Sequence, residues 1–324
     1  ADAGHRGARG RVPRARLGRG RRLRKLAAKA VQLALLGFLA WKVPFAEVAR
    51  QLPDARGGWL ALAGLSLVAI YLCDALATWS TFSRLGGPVP LGGMLVARGA
   101  SYLLASLTYV AGQGALLYFV RRANGLTTAK AGAIILVIAA ANLMLLMALA
   151  GLGLALSVET PPLLPLLLAV GLAGTVVYAV LLVVRPKALA RLGVVSGLFD
   201  AGLAGQAWAT LVRLPHVLAL MAYSFAMLRA FSVEVPVVEA LFRLPVIYVI
   251  AFLPISVQGL GTSQAAMLPL FSPFAAGPQT VREAAVLASS LSAFALMTAF
   301  QSVLGLICLR TPLGKLLKAQ GAAA

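Results

Sequence analysis

The sequence predicts an all-α fold, a polytopic transmembrane helical bundle with two broken or re-entrant segments, and three observations predict it. Hydrophobic residues make up 60% of the 324 and charged residues only 12%, with a mean hydropathy of +0.91. A soluble domain carries roughly 25% charged residues because its surface faces water. The apolar residues come in long runs rich in Leu, Ala and Val, without strand-type alternation; hydrocarbon tolerates such runs as helices, whose backbone groups pair internally. Clusters of glycine, proline and amide residues interrupt two of these runs.

A basic tail comes first. Residues 1–25 hold ten of the 29 basic residues and one acid, Asp2, while the rest of the chain carries 19 basic against 8 acidic residues, mostly in short loops. This is a positive-inside distribution, and the tail is suited to anionic headgroups at about 1 kcal/mol per basic residue near the surface. Nucleic acid is not an expected partner, because grooves for it interleave aromatics with the basic residues and the tail has none. The Arg-rich start before apolar residues 26–41 resembles a signal peptide, but no A-x-A cleavage site follows. The first serine is Ser66, unlike a Ser-rich transit peptide. A retained first span behind a cytoplasmic tail is the expectation.

The spans follow in order. The first is about 26–43, closed by Trp41, Lys42 and Pro44; an amphipathic stretch, 45–57, carries Glu47, Arg50, Asp54 and Arg56. The second, about 58–82, opens at Trp59 and closes before Arg84. Further spans are about 131–156, 163–184, 215–233, 237–253 and 284–309, with the interrupted segments 91–120 and 254–276 between them. Segment 192–210, with Asp200, Gln206 and Trp208 among small apolar residues, reads as an interfacial helix or linker. Three regions result: the tail 1–25, a transmembrane lipid-handling domain 26–310, and a C-terminal tail 311–324, both tails cytoplasmic.

Loop charge assigns the sides. Segments 1–25, 84–90, 121–130, 185–191 and 310–318 are basic, whereas 45–57, 157–161 and 234–239 hold acids without a basic excess. Placing every basic segment in the cytoplasm requires 91–120 to enter and leave on one side, and 254–276 to cross back outward before the last span. Local chemistry agrees. Tyr109-Val110-Ala111-Gly112-Gln113-Gly114 interrupts the first segment, and residues 253–264, including Gln258, Gly259, Gly261, Thr262, Ser263 and Gln264, interrupt the second. Glycine permits turns, proline removes a helix donor, and unwound backbone at membrane depth survives only inside protein or beside a watery cavity.

Paired interruptions in two halves of a membrane protein point to a transporter-type binding site. Thr262 or Ser263 would cap a short helix running into Ala265–Leu270, aiming its positive end at an anionic lipid phosphate. Gln113 and Gln264 would add neutral hydrogen bonds to a headgroup or steady the broken backbone. The same glycines and prolines also suit close helix packing and kinks.

Asp74 lies inside the second span, where a carboxylate costs about 2.5–3.5 kcal/mol on insertion scales. It is expected to face the bundle interior near Arg98 or Arg229, as a headgroup or proton site or as a structural ion pair. Arg282 and Glu283 open the last span, where interface solvation explains them, and His216, beside Pro215, opens another without a partner at metal-ligand spacing. Cys73 and Cys308 lie far apart in apolar runs, without metal-type spacing. No catalytic set, metal site or cofactor-binding loop is recognisable, so neither a cofactor nor enzymatic activity is expected.

The run Leu253-Pro254-Ile255-Ser256-Val257-Gln258-Gly259-Leu260-Gly261, then Gln264 and a small-residue helix, resembles the transmembrane flippase-like domain of lysylphosphatidylglycerol synthases. The Gly112-Gln113 break, followed by Arg121-Arg122 and the Gly-Leu-Thr-Thr-Ala-Lys turn at 125–130, is similar to that family's Gly-Glu segment. The resemblance covers roughly residues 26–310 and includes stand-alone members of unknown function. It implies an acid at positions 113 and 264 and a proline before the first break; here both acids are amides and the proline is missing. If those carboxylates couple transport to protons or hold cationic headgroups, that capacity is lost here. The family's synthases also carry a cytosolic aminoacyl-transfer domain, which nothing after residue 310 is long enough to form, so lipid aminoacylation is not expected of this chain.

The functional expectation is therefore a flippase-like transporter of phospholipid or polyprenyl-linked headgroups in the cell membrane, with membrane lipids as its partners. The alternative is a membrane anchor or scaffold for a separate lipid-modifying enzyme. A membrane-embedded lipid transferase is disfavoured by the shortage of acids.

Overall fold

The computed structural model describes residues 55–106, 108–156, 163–252 and 261–311. The basic tail, the span 26–43, most of the stretch 45–57, Gln258, Gly259, nearly all of the C-terminal tail and most of the Leu-Pro-Ile-Ser run lie outside the described residues. Everything described is helix or short connection apart from one isolated bridge, Val233 to Ala275.

In chain order the helices are α1 (Gly57–Gly86), α2 (Leu91–Ala105), α3 (Tyr109–Asn124), α4 (Thr128–Leu156), α5 (Leu163–Val184), the single turn α6 (Lys187–Ala190), α7 (Gly193–Ala230), α8 (Val237–Phe252), α9 (Thr262–Phe271) and α10 (Gln279–Arg310). Among the described residues, four helices are long and apolar enough to cross a membrane: Gly57–Gly86, Thr128–Gly153, Gly193–Ala230 and Gln279–Arg310. Each exposes large apolar side chains on its outer face, Leu65 and Val303 among them, as lipid-facing helices do. The expected spans 58–82, 131–156, 163–184 and 284–309 correspond to α1, α4, α5 and α10.

Hydrogen bonds identify one face and close packing the other. At the first face Arg56 N donates to Ala230 O, and Glu234 takes both Arg56 and Arg229. Glu234 N donates to Phe274 O, which brings the end of α9 to the same place. At the second face the end of α1 meets the turn after α3, since a Cβ on Gly86 would lie 3.3 Å from Leu126 Cδ1. The start of α7 is there too, Gly193 facing Ala129. Helices α2 and α3 therefore leave from and return to the second face, while α8 and α9 leave from and return to the first. They are two hairpins inserted from opposite sides.

The order helix, hairpin, helix occurs twice with opposite orientation: α1, α2–α3, α4, and then α7, α8–α9, α10. Packing follows the same symmetry. Helix α10 lies along the first hairpin, where a Cβ on Gly305 would be 2.7 Å from Leu103 Cβ, and α4 lies along the second, where a Cβ on Gly153 would be 2.2 Å from Phe242 Cβ. Glycine at each crossing lets the backbones approach. The first helices of the two units, α1 and α7, pack against each other at the centre.

Three expectations need correction. The first interruption is not at 109–114: the helix breaks at Ser106–Thr108, and Gly112, Gln113 and Gly114 are helical. Thr108 is extended and its Oγ1 accepts from Ala111 N at 3.1 Å, a side-chain cap that starts α3. Gly112 serves packing, because a Cβ there would lie 2.5 Å from Ala105 Cβ. Second, 237–253 is one arm of a hairpin whose other arm, α9, returns to the same face. Third, segment 192–210 is neither interfacial helix nor linker. It is the first half of α7, which bends at Gly202 (φ 58°, ψ −169°) and runs on through Pro215. That backbone region is essentially glycine-only. Gln206 is buried, accepting from the Tyr178 hydroxyl and donating to Val137 O, while Trp208 Nε1 donates to Ser80 Oγ.

Candidate functional site: a buried ion cluster at the tip of a hairpin

Asp74 sits near the middle of α1, 17 residues from Gly57 and 12 from Gly86, hence about 25 Å and about 18 Å from the helix ends at 1.5 Å per residue. It is 1% exposed. Three helices converge on it, each presenting two residues from one face. Asp74 and Thr78 come from α1, Arg98 and Tyr102 from α2, and Arg213 and His216 from α7.

Both carboxylate oxygens are used. Oδ2 accepts from Arg98 Nε at 2.6 Å and from the Tyr102 hydroxyl at 2.7 Å, and Oδ1 accepts from Arg213 Nη2 at 2.5 Å. Arg213 Nη1 donates to Thr78 Oγ1 at 3.3 Å, while Arg213 Nε is buried without an acceptor among the described residues. His216 lies beside the cluster, with Nδ1 3.2 Å from Ile70 O. Arg98 and Arg213 are 6% and 3% exposed, so neither reaches bulk water in the way a long side chain at a helix end does.

The hairpin tip borders this cluster. Tyr109, the first residue of α3, is within electrostatic reach of Arg213, Arg98 and Asp74. Thr108, Tyr109 and Val110 are exposed. Gln113 follows one turn further along α3, with its Oε1 buried and unpaired among the described residues.

Of the residues singled out from sequence, Asp74 and Arg98 are brought together. Arg229 is not part of the group; it pairs with Glu234 at the first face and lies over the Trp59 and Phe225 rings. Gly112 and Gln113 belong to the hairpin that carries the tip. Gly261, Thr262, Ser263 and Gln264 open α9 on the other hairpin. There the cap differs from the expected one: neither Thr262 nor Ser263 caps the helix. Gly261 (φ 90°) is the capping residue, and its N–H donates to Gln264 Oε1 at 2.6 Å. Gln264 thus steadies the broken backbone. Sequence reasoning missed Arg213, Thr78, Tyr102 and a cluster role for His216. The usable signal was an ionisable residue, Arg213, within a helix that continues past Pro215. Among the described residues no group of His, Cys, Asp and Glu could hold a metal ion.

Residues 25–305 match the family described as the lysylphosphatidylglycerol synthase TM region. The chain belongs to this family. That match, together with helices of this length and apolarity, makes it a multi-pass integral membrane protein. No curated protein and no solved structure matches the chain. Within this lysylphosphatidylglycerol synthase TM region, the hairpin that ends beside Asp74 and the hairpin whose α9 start is steadied by Gln264 are, with the Gly202 bend of α7, places among the described residues where helical backbone is interrupted.

Proposed function

We propose that this protein is a lipid transporter of the flippase type, which passes a polar headgroup by way of the hairpin tips while the acyl chains stay in the bilayer. The observation that carries the reading is the pair of oppositely inserted hairpins, one of them ending at a buried ion cluster near the middle of the bundle. Inverted repeats with broken helices at mid-membrane are the arrangement by which secondary transporters expose one site to either side in turn. Buried intramembrane charges mark such paths more often than they serve stability, since a buried ion pair contributes little over an apolar replacement.

We assign the second face to the cytoplasm of the cell membrane. Arg84, Arg121, Lys130, Arg185, Lys187, Arg191 and Arg310 lie toward it, whereas Arg56, Arg229 and Arg243 at the first face have Glu234 or Glu239 as partners. The basic tail would then meet anionic headgroups on that side. The reading is of a transporter rather than an enzyme, because the one carboxylate of the cluster is committed to two guanidiniums and is poorly placed for proton transfer.

Translocation in proteoliposomes tests the proposal, using headgroup-labelled anionic and zwitterionic lipids with and without the purified protein. Protein-dependent flipping is expected, weakened by Gln113→Ala, which empties the turn behind the tip, and by Gln264→Ala, which removes the α9 cap. The loss of one cap costs about 1 kcal/mol, so Gln264→Ala should slow flipping without unfolding the protein. Folded protein that flips none of these lipids would overturn the reading.

A further inference from the structure

The charges of the buried cluster do not balance. Arg98 and Arg213 bring two positive charges and Asp74 one negative charge. His216 can add only positive charge, and the remaining members, Thr78 and Tyr102, are neutral hydroxyl donors or acceptors. The other described acids are elsewhere: Glu234 holds Arg56 and Arg229, Glu239 holds Arg243, Glu283 accepts from Gln279 Nε2, and Asp200 lies near the start of α7. Gln113 and Gln264, at the two hairpins, are uncharged amides. An excess positive charge buried at membrane depth is costly unless an anion accompanies it.

Two further features face the same way. Arg213, 3% exposed, keeps a buried Nε with no acceptor among the described residues although its other two nitrogens are engaged. The 16-residue helix α3 starts beside the cluster, and a helix start carries partial positive charge. Guanidinium groups match oxyanions better than any other side chain, by paired N–H donors.

We propose that the Asp74–Arg98–Arg213 cluster, with the start of α3, binds one phosphate-type oxyanion at mid-membrane, and that the lipid headgroup handled is anionic rather than cationic. Asp74 holds the two arginines in position and offsets one of them; the ligand offsets the other. The lipid part of this statement rests on the transporter reading, whereas anion binding does not.

The test is binding to the full chain in detergent. The probes are dioctanoylphosphatidylglycerol, inorganic phosphate, and a cationic amphiphile with the same chains and a trimethylammonium head. The decisive variant is Thr78→Asp, which places a carboxylate on Arg213 and supplies the missing negative charge from within. Truncating or replacing one partner of a buried charge pair typically weakens binding roughly thirtyfold or more, and that loss is expected for the anionic lipid, with thermal stability unchanged or raised. Arg213→Gln, which removes the uncompensated charge while leaving the Asp74–Arg98 pair, is expected to show the same loss if Thr78→Asp does not fold.

Lipid bound much more tightly than inorganic phosphate identifies a lipid headgroup as the ligand, and equal binding of both identifies a soluble phosphate; either supports the site. Equal affinity for the cationic amphiphile, no anion binding, or wild-type binding by both variants would overturn it. Anion binding without flipping would leave this site standing and sink the transporter reading, so the two failures are distinguishable.

Discussion

Replacing Asp74 with asparagine is expected to destabilise the protein by about 3–5 kcal/mol, because it leaves two guanidiniums buried without a counter-charge. The chain has no cheap way to relax. Arg98 is held on α2 by its place over the Tyr102 ring, 5.3 Å from its centroid, and Arg213 is flanked by Thr78 and His216 deep on α7. Both are buried between packed helices, so neither guanidinium moves to water without disturbing that packing. The double variant Asp74→Asn with Arg213→Gln restores the wild-type net charge of the cluster and should recover much of the loss. Thermal unfolding in detergent reads both: a large fall for the single variant, partial recovery for the double. A single variant as stable as wild type would mean that the arginines are solvated and the cluster is not a buried unit.

The second large effect is expected at two neighbouring glycines with opposite outcomes. Gly112→Ala should destabilise the first hairpin, since its Cβ would lie 2.5 Å from Ala105 Cβ and 2.8 Å from Ala105 Cα. One of those neighbours is backbone, so the arms must separate, and overpacking of this kind costs about 1–3 kcal/mol. Gly114→Ala, two residues later in the same helix, meets nothing within 4 Å. It should stabilise by up to about 1 kcal/mol, the gain from replacing glycine within a helix. Paired melting curves check this directly. Equal effects of the two substitutions would mean that the arms do not cross at Gly112.

These glycines show what the sequence could and could not say. Composition, long apolar runs and loop charge were enough to place α1, α4, α5 and α10, because each obeys one rule over many residues. The interruption near residue 110 was legible as a feature of the segment but not in position. The two glycines Gly112 and Gly114 point to 109–114, whereas the break is made by Thr108, whose hydroxyl caps α3. Glycine marks both turns and close crossings, and only the neighbour across the crossing, Ala105, tells them apart.

Proline misled in a similar way on α7. Pro215 suggested the start of a span, and the residues before it then read as interfacial. In the folded chain the helix runs through it, as membrane helices allow when neighbours satisfy the freed backbone. That misplacement left Arg213 between the two segments, outside any predicted span, and hid one of the three charges of the cluster. The pairing of Asp74 with Arg98 was open to sequence reasoning, since both stand in apolar runs. The choice of Arg213 over Arg229 was not, because it depends on depth along a helix whose length was misjudged.

The central claim is that the tip of the first hairpin lines a polar path rather than resting in lipid or in dry packing. Thiol accessibility tests it most directly. Val110 is 76% exposed in the first turn of α3, beside the cluster; Leu72 is 44% exposed on α1, two residues from Asp74. With Cys73 and Cys308 replaced by alanine, Val110→Cys is expected to react with a membrane-impermeant maleimide in proteoliposomes, as Lys130→Cys does at the second face. Leu72→Cys, at similar depth but facing lipid, is expected to stay unmodified. A Val110→Cys variant as unreactive as Leu72→Cys, with Lys130→Cys labelled normally, would contradict the account.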